Sequence, residues 1–119
     1  MPVIHHNDVP TWSFSAGSTY RTIVGDEYGS TPIFIGLQRC EPGYRSVLHS
    51  HPYLETVTIL AGQGEAWIED ADQVVRLEPG VTLVFPSNVR HRFWALETQS
   101  LEILGVHASP RRIVNVHEA

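Results

Sequence analysis

The sequence predicts an all-β protein, a sandwich or barrel of many short strands. Short runs rich in β-branched and aromatic residues recur along the chain, separated by clusters of Gly, Pro, Asn and Asp. No segment carries the apolar spacing of a long amphipathic helix. The 119 residues, 42% of them apolar, suffice for one compact domain with a core of its own.

Taken in order, the runs predict strands at Thr19–Val24, Ile33–Arg39, Ser46–His51, Glu55–Leu60, Glu65–Glu69, Gln73–Leu77, Thr82–Phe85, His91–Leu96, Ser100–His107 and Arg112–Val116. The breaks between them carry turn chemistry: Gly25-Asp26, Glu41-Pro42-Gly43, Ala61-Gly62-Gln63-Gly64, Asp70-Ala71-Asp72, Glu78-Pro79-Gly80 and Pro86-Ser87-Asn88. Residues 1–18 show few regular signals and read as an N-terminal arm that packs across a partner or the barrel mouth. No repeat, linker or low-complexity tract interrupts the single domain, residues 1–119.

Composition excludes several function classes. The net charge is −5, and all eight basic residues are Arg, so Schiff-base chemistry through a lysine is impossible. Arg90 and Arg92, and the pair Arg111-Arg112, are too few to neutralise a phosphate backbone, so no nucleic-acid partner is expected. No apolar run reaches membrane-spanning length, and the first residues lack the basic-then-apolar pattern of a secretory leader. The single cysteine, Cys40, cannot form an intramolecular disulfide and reads as a small buried residue. A reducing cytoplasm is the expected setting.

The chemistry concentrates in His49, His51, Glu55 and His91. Residues two apart on a strand share a face, so His49 and His51 project to one side with Cα atoms about 6–7 Å apart. Glu55 opens the next run, and His91 opens another after the Pro86-Ser87-Asn88 turn. Three imidazoles and a carboxylate suit one divalent transition metal per chain: Fe, Mn, Ni, Zn, Cu or Co. Alternation adds a pocket to this site. Val57 and Ile59 share the face of Glu55, and Phe93 and Ala95 share that of His91, so a small apolar cavity with the metal on its wall is expected. Thr56, Thr58, Arg92 and Trp94 fall on the opposite faces.

The wider spacing carries a resemblance. Gly43, His49, His51, Glu55 and Gly62, separated by five, one, three and six residues, match the first signature of the cupin family. Gly80, Pro86, Asn88, His91 and Ala95, separated by five, one, two and three, resemble the second. Asn88 stands where the family has Gly, a mild departure because Asn tolerates left-handed backbone; Ala95 replaces a polar Asn near the metal strand. The resemblance implies a double-stranded β-helix, the jelly-roll cupin barrel, with both motifs at residues 43–95. It also implies a three-His, one-Glu metal site with two open coordination positions and a small-molecule substrate or ligand. The family uses such sites in dioxygenases, in non-redox isomerases, lyases and cyclases, and in binding or sensing modules. The dioxygenase is the expectation here, with the others as alternatives. Small cupins are commonly homodimers. Trp67 and Trp94 both read as outward-facing, so a dimer burying one or both is expected.

Several further residues are candidates. Glu55 is a metal ligand and, if it detaches, a catalytic base. Tyr53, between two ligands, is a candidate proton donor or substrate contact, the alternative being packing at the barrel rim. Tyr44 lies near enough in sequence to border the pocket. Gln38 and Arg39 face opposite ways, so only one points inward; Arg39 reads as solvated. His107 is expected at the surface, with a base role beside the ligands as the alternative, and His5 and His6 lie in the arm without a dedicated site.

Overall fold

Alternation of inward apolar and outward polar side chains builds two facing sheets. The fold is a computed structural model that describes residues 3–25, 31–71 and 73–117. After a 3₁₀ turn at His6–Asp8 come β1 (Trp12–Ser15), β2 (Ser18–Val24), β3 (Phe34–Cys40), β4 (His49–Ser50), β5 (Glu55–Gly62) and β6 (Gly64–Ile68). β7 (Val75–Leu77), β8 (Thr82–Phe85), β9 (His91–Ala95), β10 (Leu101–His107) and β11 (Asn115–Val116) complete the chain. One sheet has the order β1-β2-β3-β10-β5-β8 and the other β11-β4-β9-β6-β7, with every pairing antiparallel. The two pack face to face as a jelly roll. No helix among the described residues is long and apolar enough to cross a membrane.

The core lies between the sheets. Cys40, Ala66, Leu101, Leu77 and Ile59 are its most buried members, and each large aliphatic removed from water contributes about 1.5–3 kcal/mol. β5 shows the pattern best: Glu55, Val57 and Ile59 are buried while Thr56 and Thr58 are half-exposed. Gly62 closes the β5–β6 hairpin with φ 84°, and an added Cβ there would lie 1.8 Å from the Ser100 carbonyl oxygen. Both the backbone conformation and the close approach demand glycine.

Most strands fall where alternation places them, with ends shifted by a residue or two. Three differences stand out. The run Ser46–His51 pairs as a strand only at His49–Ser50. At Ser46 the ladder is broken by its own side chain: the Phe93 N–H donates to Ser46 Oγ (3.0 Å), and the Ser46 carbonyl accepts from Arg92 Nε (3.1 Å). Arg112–Val116 shortens to Asn115–Val116, which pairs with β4. The arm is more regular than expected, because Trp12–Ser15 adds to the sheet edge beside β2, where Trp12 and Phe14 pack on Tyr20 with ring centroids 5.4 and 5.2 Å away. Asp26 and Asp72, assigned to turns, lie outside the described residues.

Candidate metal centre

The strand register assembles the site. His49 pairs directly with His91 across β4 and β9, and His51 follows β4 on the same face. Their imidazoles are buried, and one nitrogen of each lies within 4.8 Å of the other two. The remaining nitrogens hold the rings in place. His49 Nδ1 meets the Val47 carbonyl oxygen at 2.7 Å, His51 Nδ1 that of Ile113 at 2.5 Å, and His91 Nδ1 that of Val89 at 3.0 Å. A carbonyl only accepts, so each Nδ1 carries the proton and each Nε2 presents a lone pair. This is the tautomer in which metal-binding imidazoles are held by a hydrogen bond behind them. Burial, aided by the neighbouring His91, lowers His49 to about 3, so its ring is neutral at physiological pH. Phe85 stacks on His91 at 3.9 Å and 13° between planes, fixing that ring as well.

Glu55 comes from the opposite sheet. Its Oε1 lies 3.1 Å from His51 Nε2 and 3.6 Å from His91 Nε2. With the Nδ1 proton of His51 committed to Ile113, an acceptor faces an acceptor across 3.1 Å. Such a pair is stable only with a cation or an added proton between them. The donor set therefore fits a divalent ion. The other oxygen, Oε2, receives the His107 Nε2–H at 3.0 Å. Burial by itself would push the Glu55 carboxyl up, but the surrounding His107, His51 and His91 hold it well below the usual carboxylate range.

His107 is the principal correction to the sequence reading: it is 1% exposed rather than at the surface. It faces Glu55 because the two are cross-strand partners in β10 and β5. Its Nδ1 accepts from the Tyr53 hydroxyl at 2.6 Å, and that hydroxyl accepts the Ile113 N–H at 3.0 Å. Burial pushes Tyr53 up to about 12, so it keeps the proton it donates. Tyr53 thus reaches Glu55 through the neighbouring histidines, His107 at 2.6 Å and His51 at 3.3 Å, and it is not among the residues that line the cavity. The signal for His107 was parity: Leu101, Ile103, Gly105 and His107 share a face, and Leu101 and Ile103 are core residues. Leu104 and Val106, apolar on the other face, masked it.

The cavity in front of the histidines is about 30 Å³, room for an ion and water. Val57 and Phe93 line it as alternation predicts, with Leu77, Leu83, Phe85 and Ile103; Ile59 and Ala95 lie in the core instead. Gln38 is the inward member of its pair, bonded to Ser18 Oγ at 3.3 Å, while Arg39 is exposed and paired with Glu102 at 2.8 Å. A larger groove of about 410 Å³ adjoins the cavity and shares Gln38, His49, Phe93 and Arg112 with it. Tyr44 lies along that groove, its hydroxyl 2.9 Å from Ser15 Oγ. His5 and His6 are exposed, and burial raises the Cys40 thiol to about 12, which makes it a poor nucleophile.

The family model for the cupin domain matches residues 36–107. The chain belongs to the cupin family. Among characterised sequences, this cupin is 33% identical over 92 residues to protein SchB of Streptomyces halstedii, an alignment covering 76% of this chain and 65% of SchB. It is 26% identical over 122 residues to auxin-binding protein T92 of Nicotiana tabacum, covering 92% of this chain and again 65% of the relative. The chain thus spans 65% of the length of the curated relatives it matches. In shape it is similar to the polyketide cyclase RemF of Streptomyces resistomycificus, with a TM-score of 0.85 at 18% identity, covering all of this chain and 87% of RemF. Within this cupin the departures from the family spacing are absorbed locally. Asn88 adopts φ 67°, the left-handed conformation that asparagine tolerates, and Ala95 is buried opposite Gly64.

Proposed function

We propose that this cupin is a metal-dependent enzyme that converts an enolisable carbonyl compound without oxygen, most simply by cyclisation or isomerisation. One observation carries the reading: one nitrogen from each of His49, His51 and His91 converges beside an apolar chamber, with Glu55 Oε1 3.1 Å from that of His51 and 3.6 Å from that of His91. His49, His51, His91 and Glu55 would hold the ion. A divalent ion bound there supplies a Lewis acid and a template for a carbonyl oxygen. The chain's own residues do the rest. Glu55 is the one carboxylate among the described residues lining the chamber, so it is the acceptor for a proton leaving a substrate carbon. His107 holds Oε2 and leaves Oε1 toward the histidines, while Tyr53 holds His107. Leu77, Leu83, Phe85 and Ile103 keep water from a carbanion-like transition state. The likeness to a protein described as a polyketide cyclase supports the choice.

A dioxygenase remains the second reading, favoured by the same three-His, one-Glu donor set, which suits Fe, Mn or Cu. The two separate in one experiment. Protein loaded in turn with Zn, Ni, Mn and Fe is incubated with an aryl β-triketone, with and without oxygen. Mass spectrometry follows the products and an electrode follows oxygen. Turnover under argon, lost in Glu55→Gln, is the expected result. Product that forms only with oxygen uptake establishes the dioxygenase instead, and stoichiometric metal without product in either gas points to a binding role.

The proposal includes a homodimer. Arg45 covers Trp94 from within the chain, its Cζ 4.8 Å from the ring centroid, and Trp94 Nε1 donates to Glu65 at 3.2 Å. Of Trp67 and Trp94, the former, 37% exposed, is then the one left for a partner copy. Light scattering at micromolar concentration should give twice the 13.3 kDa chain mass, and Trp67→Glu should give the monomer.

A further inference from the structure

The inner chamber, about 30 Å³, is too small for an organic substrate, which needs a few hundred Å³ or more. The adjoining groove, about 410 Å³, has that capacity. Phe14, Tyr44, Val47 and Val114 line it, and it reaches the ion site at His49 and Phe93. The reacting group then enters the chamber while the body of the molecule stays outside.

Arg112 stands where the two spaces join, because it lines both. Arg45 also lines the groove, but it is held over Trp94 and does not reach the chamber. The Arg112 guanidinium lies over aromatic rings, its Cζ 4.3 Å from the Phe14 centroid and 5.6 Å from that of Tyr20. These contacts hold the planar group in place and leave its N–H donors available. None of the ion pairs among the described residues involves Arg112. A cation beside an apolar groove, held by ring faces rather than by a carboxylate, suits a planar anion.

We propose that Arg112 binds the carboxylate or enolate of a flat, apolar organic anion where the groove opens into the chamber, with the body of the molecule in the groove. This rests on the metal-site reading and adds the substrate class to it. Arg112 acts as a specificity residue: it selects anionic over neutral molecules of the same shape.

The test uses 2-naphthoate and its neutral isostere 2-naphthamide as probes, titrated calorimetrically into metal-loaded and chelator-treated protein. Wild type should bind the naphthoate about tenfold or more tightly than the amide, the range of a charge-assisted hydrogen bond. Arg112→Gln should remove that preference while leaving amide binding within about twofold, and Arg112→Lys should keep part of it. Wild-type preference needs no variant, so it stands as a readout even where Arg112→Gln folds poorly. Absence of the preference in wild type overturns the inference. A preference that survives Arg112→Gln but disappears on metal removal also overturns it, and leaves the metal reading intact. An Arg112-dependent preference in a protein that takes up no metal supports the inference and defeats the metal reading.

Discussion

His91→Ala is expected to bring metal content from about one atom per chain to near zero. The side chain is 2% exposed, stacks on Phe85, and offers its Nε2 beside those of His49 and His51. Losing one of the three converging imidazoles leaves His49, His51 and Glu55, a set that should hold an ion far more weakly at neutral pH. The loss should also appear as stability. An ion that binds only the folded chain adds about 2.7 kcal/mol when its free concentration is a hundred times the dissociation constant. Wild type should therefore melt several degrees higher with metal than with chelator, and His91→Ala should melt at one temperature in both. Elemental analysis of protein purified without added metal, with calorimetry alongside, measures both effects. Replacing the exposed His5 and His6 is the matched control and should change neither. Full metal in His91→Ala would remove the site assignment.

The second large effect is His107→Ala. It strips Glu55 Oε2 of its donor inside a site where the carboxylate is 7% exposed. Removing a hydrogen bond to a buried charged group costs about 1.5–3 kcal/mol, because the carboxylate stays buried with one donor fewer. Tyr53→Phe removes the hydrogen bond to the same histidine and the one accepted from the Ile113 N–H, and should cost about 1–3 kcal/mol. The dependence on pH follows in chelator-treated protein. Glu55 is held below its ordinary value of 4.5 in wild type, so its contribution is present above that value and is lost as pH falls through the lowered folded value. In His107→Ala burial is opposed by fewer groups, and the carboxyl rises. The stability gap between the two proteins should be widest near pH 7 and should narrow as pH falls from the variant's raised value toward the lowered wild-type value, below which both carry a neutral carboxyl. Urea unfolding at several pH values measures it. A constant gap would mean that His107 acts through packing alone. Adding Glu55→Leu to His107→Leu should recover most of the loss, since two apolar residues leave no buried charge.

These two histidines differ in how visible they were. His91 belongs to a local pattern, a turn followed by a strand, and its spacing from Pro86 and Asn88 is written in consecutive residues. His107 is recognisable only once β10 pairs with β5, which sets it against a residue 52 positions earlier. In β10 both faces carry apolar residues, so parity alone did not choose the inward one. The strand expected at Ser46–His51 shrank for a similar reason: a serine hydroxyl took a ladder hydrogen bond, which propensity does not register. Arg112 lay in a run read as strand, and its place at the cavity mouth follows from how the C-terminal segment crosses Phe14 of the arm.

What the sequence by itself determined is the all-β architecture, the turns, and which residues of β5 and β9 face inward. Those follow from a two-residue period and from turn chemistry, both local properties of a chain. The tertiary structure decided which Nε2 lone pairs meet Glu55, that His107 and Tyr53 brace it, and that Arg112 joins chamber to groove. Those depend on sheet register between distant strands, where one residue of slip would turn each side chain to the other face.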